Sequence, residues 1–259
     1  MTPMPAPDDA PRPAAHLSAA LAIGGERVPL EIDVPAGPVR TTALLPSLQS
    51  LAGAIVGAAV RREEKEGRAI SCGPGCGACC RQLVPVAPAE ARAIAALVES
   101  LPEGRRAVID ARFGELRRRL AGSGLLESLE SAQHLDEDAR AEMAAAYFAL
   151  GLACPFLEEE SCSIHPDRPI ACREHLVTSP ASACATPTPD TVRMVPVAAR
   201  VWGALVRVEA AGTVAERGTW VPLSLAPSWA AAHPDRSEPV PGPRLFEQVV
   251  GELLRVPRG

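Results

Sequence analysis

Aromatic residues, long apolar runs and excess positive charge are all scarce in this sequence. Phenylalanine, tryptophan and tyrosine together make up 3% of the 259 residues. The longest uncharged stretch, residues 41–60, is interrupted by Pro46, Ser47 and Gln49, and its apolar remainder is too short to span a bilayer. The net charge is -5, whereas nucleic-acid binding needs clustered positive charge. We therefore expect no membrane span and no nucleic-acid partner.

The amino terminus lacks the basic start and apolar core of a signal peptide. Residues 1–15 instead carry Asp8, Asp9 and several prolines, which predicts a disordered arm on a cytoplasmic protein. We assign residues 16–259 to one domain. Because the cytosol keeps thiols reduced and a chain of this length builds a core without disulfides, the eight cysteines point to metal or redox chemistry.

Hydrophobic periodicity predicts a mainly α fold with a small β hairpin. Helices are expected over residues 45–66, 88–100, 105–120, 137–150 and 243–255. Two partly alternating segments, residues 16–23 and 27–34, flank Gly24 and Gly25 and predict the hairpin. Prolines predict loops over residues 154–184, while residues 192–210 fit either a strand or a helix. The helices should therefore surround loops that carry cysteines.

The cysteines fall into two groups of four. The first lies within residues 72–80, spaced C-x3-C-x2-C-C, and the second within residues 154–184. A metal ion or an iron-sulfur cluster needs deprotonated sulfurs that converge from separate loops. Gly73, Gly75 and Gly77 allow the first loop to turn sharply and to aim N–H groups at sulfur. The candidate metal ligands are Cys72, Cys76, Cys79, Cys80, Cys154, Cys162, Cys172 and Cys184.

Two considerations limit how these thiols are shared. Neighbouring side chains diverge in most backbone conformations, so Cys79 and Cys80 are not expected to bind one ion together. Eight thiolates on a single zinc ion would also leave a large uncompensated negative charge. Two metal sites, or one polynuclear cluster with spare thiols, both remain open. Arg81, Arg168 and Arg173 are placed to compensate such charge, although Arg168 and Arg173 could instead pair with the acidic residues 158–160.

The cysteine pattern resembles a known family. The C-x3-C-x2-CC motif is followed by C-P-F-L from residue 154 and by C-x-I-x3-R-P-x2-C-R from residue 162. Over residues 71–185 the chain resembles the YkgJ family of zinc- or iron-chelating cysteine-cluster domains, which includes flagellin N-methylases, and Cys184 is similar to the family's trailing cysteine. His165 stands where the family usually has tyrosine. It is a candidate ligand or neighbour of the metal, as is His175.

The resemblance implies a metal centre at residues 71–185 and leaves several functions open. The leading hypothesis is a protein that holds an iron-sulfur cluster, or another iron or zinc centre, through thiolates. The methylase branch implies an S-adenosylmethionine-dependent methyltransferase acting on a protein substrate, although no glycine-rich strand-loop-helix for the methyl donor is evident. A structural zinc module is the other alternative. A redox sensor or simple packing of thiols fits the spacing less well. The sequence indicates no catalytic residue and no oligomeric state.

Overall fold

In the computed structural model, which describes residues 13–131, 137–188, 190–211 and 219–255, the chain begins with a hairpin. Strands β1 (Ala14–Ile23) and β2 (Glu26–Pro35) pair antiparallel across Gly24 and Gly25, and both glycines have positive φ, which suits a tight turn. The predicted hairpin is therefore confirmed. It begins at Ala14, so the end of the predicted arm is strand, while residues 1–12 of that arm lie outside the described residues.

The core-facing side of the hairpin packs on a long helix. Val28, Leu30, Ile32 and Val34 alternate along β2 as buried residues, and they contact helix α1 (Thr41–Lys65). Helix α1 is long and apolar enough to cross a membrane, yet 56% of its apolar window is buried inside the fold. Core helices can have the same length and composition, and the leucines of α1 here fill the protein interior.

The remaining helices confirm the predicted mainly α architecture with a small hairpin. They are α2 (Pro88–Ser100), α3 (Glu103–Gly122), α4 (Leu126–Glu130), α5 (Glu137–Ala149), α6 (Ile170–Arg173), α7 (Val201–Ala210), α8 (Ala226–Ala232) and α9 (Gly242–Arg255). The ambiguous segment at residues 192–210 becomes helical only from Val201. Helices α4 and α8 were not predicted because segments of five and seven residues are too short to show a helical period.

Short antiparallel strand pairs complete the described fold, and the first two of them join distant parts of the chain. They are β3 (Pro38–Val39) with β8 (Val240–Pro241), β4 (Pro85–Val86) with β7 (Val221–Pro222), and β5 (Leu157–Glu158) with β6 (Ser161–Cys162). The β4–β7 pair lies directly after the first cysteine loop in sequence, and the β5–β6 pair lies within the second cysteine segment. The first cysteine group is therefore followed by a strand that pairs with a distant part of the chain. The second group contains a local strand pair.

A second, smaller core supports the cysteine segments. Phe113 of α3 and Phe156 meet edge to face, with ring centroids 5.6 Å apart. Both rings belong to a buried cluster that includes Val86 and Leu223, and Cys154 packs against this cluster. Aromatic pairs of this geometry add stabilisation beyond the area they bury. The loop that carries Cys154 is thus fixed to α2 and α3 by apolar packing.

A buried carboxyl joins α7 to the start of α2. Glu209 Oε2 accepts a hydrogen bond from the Ala89 backbone N–H at 3.1 Å, and burial raises the pKa of Glu209 from its ordinary value of 4.5 to about 7. The folded protein therefore binds this proton more tightly than the unfolded chain does. As a result, the contribution of Glu209 to stability falls as the pH rises from about 4.5 to about 7.

We expect Glu209→Gln to abolish this part of the pH dependence, because the amide oxygen still accepts from Ala89 and carries no charge. Relative to wild type, the variant should gain about 2 kcal/mol in free energy of unfolding between pH 5 and pH 8. Urea unfolding at both pH values measures the gain. Glu99→Gln, at an exposed position on α2, is the control and should show no such gain. An equal change in both variants would contradict the assignment to Glu209.

Candidate metal centre

The two cysteine groups meet at one cavity of about 620 Å³. The first loop contributes Cys72, Cys76, Cys79 and Cys80 to its lining, and the second segment contributes Cys154, Cys162 and Cys172. Cys184 is buried next to this lining, where burial and then the charges of Cys72, Cys76 and Cys79 raise its pKa. All eight thiols are free. The structure thus brings together every predicted ligand residue, and their binding of a metal stays a prediction.

Glycine lets the first loop dock on the second segment. Gly75 has a φ of +81°, and its N–H donates to Ser161 Oγ at 3.1 Å. At Gly77, an added Cβ would lie 2.7 Å from Leu157 Cδ1 and 2.6 Å from Glu160 Oε2. Any larger residue at Gly77 would therefore push the two segments apart. The predicted need for glycine here is a matter of turn geometry and close approach.

Backbone and ionic contacts fix the second segment. The Cys154 N–H donates to the Cys80 carbonyl at 2.7 Å, which ties the two cysteine groups together directly. Arg105 and Arg112, both on α3, pair with Glu158 on β5, and Arg112 also donates to the Pro155 carbonyl at 3.0 Å. Sequence analysis gave no role to these α3 arginines, because their partners lie more than forty residues away along the chain.

The thiols lie in surroundings that disfavour the thiolate unless something compensates its charge. Burial raises the pKa of Cys72 and Cys162, and it raises that of Cys154 to about 12. Backbone N–H groups act in the opposite direction and lower these pKa values. Val177 donates to Cys72 Sγ at 3.4 Å, and Phe156 and Ile164 donate to Cys154 and Cys162. These N–H groups come from the second segment, whereas the sequence suggested the glycines of the first loop.

The adjacent thiols of Cys79 and Cys80 behave differently from the sequence-based expectation. Both residues lie in a single 3₁₀ turn, Ala78–Arg81. A hydrogen bond that the Cys79 thiol donates to the Cys80 sulfur is the largest cause of a raised pKa at Cys79, ahead of burial. The expected divergence of the two side chains is therefore wrong for this pair, because their hydrogen bond brings the two thiols together. The pair can face the same centre.

The three candidate arginines have different surroundings. Arg81 pairs with Glu160 at 2.6 Å, so a carboxylate already balances its charge. Arg173 donates through Nε to the Arg168 carbonyl at 3.0 Å, and the charges of Asp167 and Glu90 act on its guanidinium. Arg168 lines the cavity, lowers the pKa of Cys72, Cys79 and Cys162, and buries its Nε without a hydrogen-bond partner in the described part of the chain. Arg168 is therefore the cation available to the thiols.

Two histidines also line the cavity. His165 lies at an exposed position of a 3₁₀ turn, and the positive charge of Arg168, followed by burial, lowers its pKa. His175 is mostly buried. Its Nε2 has no hydrogen-bond partner among the described residues, and burial lowers its pKa. Both imidazoles are thus kept neutral, which is the form in which histidine binds metals and accepts hydrogen bonds.

Sequence analysis missed a buried carboxyl behind the thiols. Glu90, in the first turn of α2, accepts hydrogen bonds from the Ala87 N–H at 2.9 Å and from the Ile170 N–H at 2.7 Å. Burial raises its pKa to about 7, and its charge contributes to the raised pKa of Cys172. The sequence predicted the helix start at Pro88. It did not predict the contact of Glu90 with Ile170, because the two residues are eighty positions apart along the chain. Glu90 therefore anchors α6, and with it Cys172, to α2.

We expect Glu90→Ala to lower the free energy of unfolding by about 3 kcal/mol, because it leaves two buried backbone N–H groups without acceptors. Urea unfolding of reduced, metal-free protein measures this effect independently of any metal. Glu99→Ala, at an exposed position on the same helix, should change stability by less than about 0.5 kcal/mol. Equal effects of the two substitutions would contradict the anchoring role of Glu90.

The donor set that lines the cavity fits a zinc or iron centre bound through sulfur. Among the described residues, no three histidine, cysteine, aspartate or glutamate side chains lie close enough together to hold one ion. The thiols instead surround a cavity that Arg168 also lines. The buried Nε of Arg168 has no hydrogen-bond acceptor among the described residues. Thiolate sulfurs accompanied by a positive charge suit zinc and iron centres alike, because both leave excess negative charge when bound by several thiolates.

Comparison with known proteins agrees with this geometry. No curated protein and no solved structure gives a significant match to the chain. Residues 71–189, a little under half of the chain, match the family model CxxCxxCC, described as "Putative zinc- or iron-chelating domain". The matched span contains all eight cysteines and both loops that line the cavity. The part of the chain that builds the cysteine cavity is therefore similar to a zinc- or iron-chelating domain.

Proposed function

We propose that this cytoplasmic protein binds a metal centre through its clustered thiolates, with an iron-sulfur cluster as the favoured form and an iron or zinc site as the alternative. One observation carries the proposal. Seven thiols from two segments more than seventy residues apart line a single cavity without any disulfide between them. Core packing explains single buried cysteines, but it does not explain their convergence from glycine- and proline-rich loops.

The spread of the thiols favours a cluster over a mononuclear site. A tetrahedral zinc ion needs four donors, with each sulfur about 2.3 Å from one point. In the described residues no three thiols are already close enough to hold one ion, and they line a cavity of about 620 Å³, so a single zinc ion would require them to move together. A cluster of several iron and sulfide ions reaches cysteines that lie farther apart. It also accounts for neighbouring ligands such as Cys79 and Cys80, which can bind different irons.

Charge balance supports a thiolate-bound metal centre of either kind. Four thiolates on a zinc ion or on an oxidised four-iron cluster leave about two negative charges. Arg168 has no acidic partner within ion-pair distance in the described ranges, so its charge is free to offset one of them. Backbone N–H groups of Val177, Phe156 and Ile164 reach three further sulfurs. Such hydrogen bonds stabilise bound thiolates and tune redox potential. When bound, the centre would supply redox or Lewis-acid chemistry.

Purification without oxygen, followed by metal analysis, tests the proposal. We expect a brown protein whose iron and acid-labile sulfide occur in near-equal amounts and whose visible absorption bleaches on reduction. A colourless protein with stoichiometric zinc would exclude the cluster and support the zinc alternative. If the protein contains neither metal and also fails to bind zinc or reconstitute with iron and sulfide, the proposal is wrong.

A further inference from the structure

We propose that the same cavity also binds a small uncharged organic molecule beside the metal centre. The inference extends the proposed function, since it identifies the class of molecule on which the centre would act. Its first support is size. The cavity measures about 620 Å³, far more than the about 10–15 Å³ that one ion or water needs and more than the eight atoms of a four-iron core would fill. Pockets for drug-sized ligands span about 300–1,000 Å³. The space is therefore that of a ligand pocket.

The second support is the apolar wall that faces the same space as the thiols. Phe156, Ile164 and Leu223 are almost fully buried and line the cavity together with the half-buried Leu83 and Leu176. A site that only had to hold metal would need sulfur donors and hydrogen bonds to them. An apolar wall adds nothing to metal affinity, but it gives a favourable surface for the carbon skeleton of a ligand.

The third support is a polar group with no partner inside the protein. His175 belongs to the lining of this cavity, and its Nε2 is buried and makes no hydrogen bond within the described residues. Buried polar atoms are nearly always paired in folded proteins, so an exception needs an explanation. A carbonyl or hydroxyl group on a bound molecule would pair with the imidazole, and the apolar wall would cover the rest of that molecule.

The charges around the cavity select an uncharged ligand. Thiolates bound to a metal and the Arg168 guanidinium, which lies near enough to lower the pKa of several thiols, bring opposite charges that offset each other, so neither an anion nor a cation meets a uniformly attractive surface. Access is available from the protein surface, since Pro74, Glu160 and His165 line the cavity at exposed positions. A neutral molecule with a flat apolar body and one hydrogen-bonding group fits all of these features.

The uncharged naphthalene fluorophore prodan, which has one carbonyl, is a suitable probe. Titrated into anaerobically purified, metal-analysed protein, it should bind saturably and shift its emission to the blue. Leu83→Phe fills the cavity and should weaken prodan binding at least tenfold. His175→Leu removes the hydrogen bond and should weaken it about fivefold. Leu97→Phe is the matched control. Leu97 is half-buried, as Leu83 is, but it packs against the smaller core that contains Phe113 and Phe156 and does not line the cavity.

Metal content and prodan binding, measured on the same samples, separate the two proposals. Bound metal without saturable prodan binding would overturn the ligand proposal alone. Prodan binding that Leu83→Phe blocks, in a protein that takes up no metal, would support the ligand cavity and overturn the metal centre. Equal weakening by Leu83→Phe and Leu97→Phe would show that the fluorophore binds elsewhere and would overturn the ligand proposal. Circular dichroism of each variant confirms that it is folded.

Discussion

Cys172→Ser should remove nearly all of the bound metal. Cys172 lies on α6 at the deep side of the cavity, where burial and then the charges of Cys154 and Cys79 raise its pKa. It is therefore close to thiols of both cysteine groups. A serine hydroxyl is a poor ligand for iron or zinc because it stays protonated at neutral pH and is harder than thiolate. Loss of a hydrogen-bond partner of a metal ligand alone lowers metal affinity by about 10–100-fold. Loss of the ligand itself should therefore lower metal affinity by more than about 100-fold.

Elemental analysis and visible absorption of wild-type and variant protein, purified side by side without oxygen, measure the effect. Ala171→Ser is the matched control, since it places a hydroxyl at the neighbouring lining position and keeps every thiol. Cys76→Ser provides a second test from the first loop, where the side chain is only half-buried and folding is less at risk. If Cys172→Ser and Cys76→Ser both remain folded and both keep full metal, the thiols do not form the centre.

Some features of the fold depend only on local sequence signals, and these were predicted, whereas the site depends on contacts between distant residues. Helix α2 has the predicted bounds, because Pro88 opens it, Glu90 lies in its first turn and its apolar residues repeat with the helical period. The hairpin follows in the same way from alternation around Gly24 and Gly25. Both signals are local, so one sequence is enough to identify them.

The site was predictable only in its ligand residues. Cysteine spacing predicted that both groups would meet, and the structure brings them to one cavity. The contacts that hold this cavity open are between residues far apart in sequence, such as Glu90 with Ile170 and Arg112 with Glu158. No local pattern distinguishes these side chains from ordinary helix-surface charges. The unpartnered Nε of Arg168 could not be foreseen either, because the sequence offered it the acidic residues 158–160. Two of these, Glu158 and Glu160, instead pair with Arg105, Arg112 and Arg81.

Zinc affinity should rise very steeply with pH, because the thiols must lose protons before they bind metal. The pKa of every thiol with a resolved shift is raised: Cys72, Cys79, Cys154, Cys162, Cys172 and Cys184. Below their pKa values these groups are protonated in the metal-free protein, so each one that becomes a ligand releases one proton. Binding by four such thiols therefore strengthens about 10⁴-fold for each unit by which the pH rises.

Competition with a chelator of known zinc affinity, at pH values between about 6 and 7.5, gives the slope of log affinity against pH, which should be near four. Proton release in weakly buffered solution gives the same number independently. Cys184→Ser should leave the slope unchanged, because Cys184 lies next to the cavity lining rather than in it, whereas Cys162→Ser should lower it by about one. A wild-type slope near zero would mean that zinc binds at groups already deprotonated, such as surface carboxylates, and would contradict a centre made of these buried thiols.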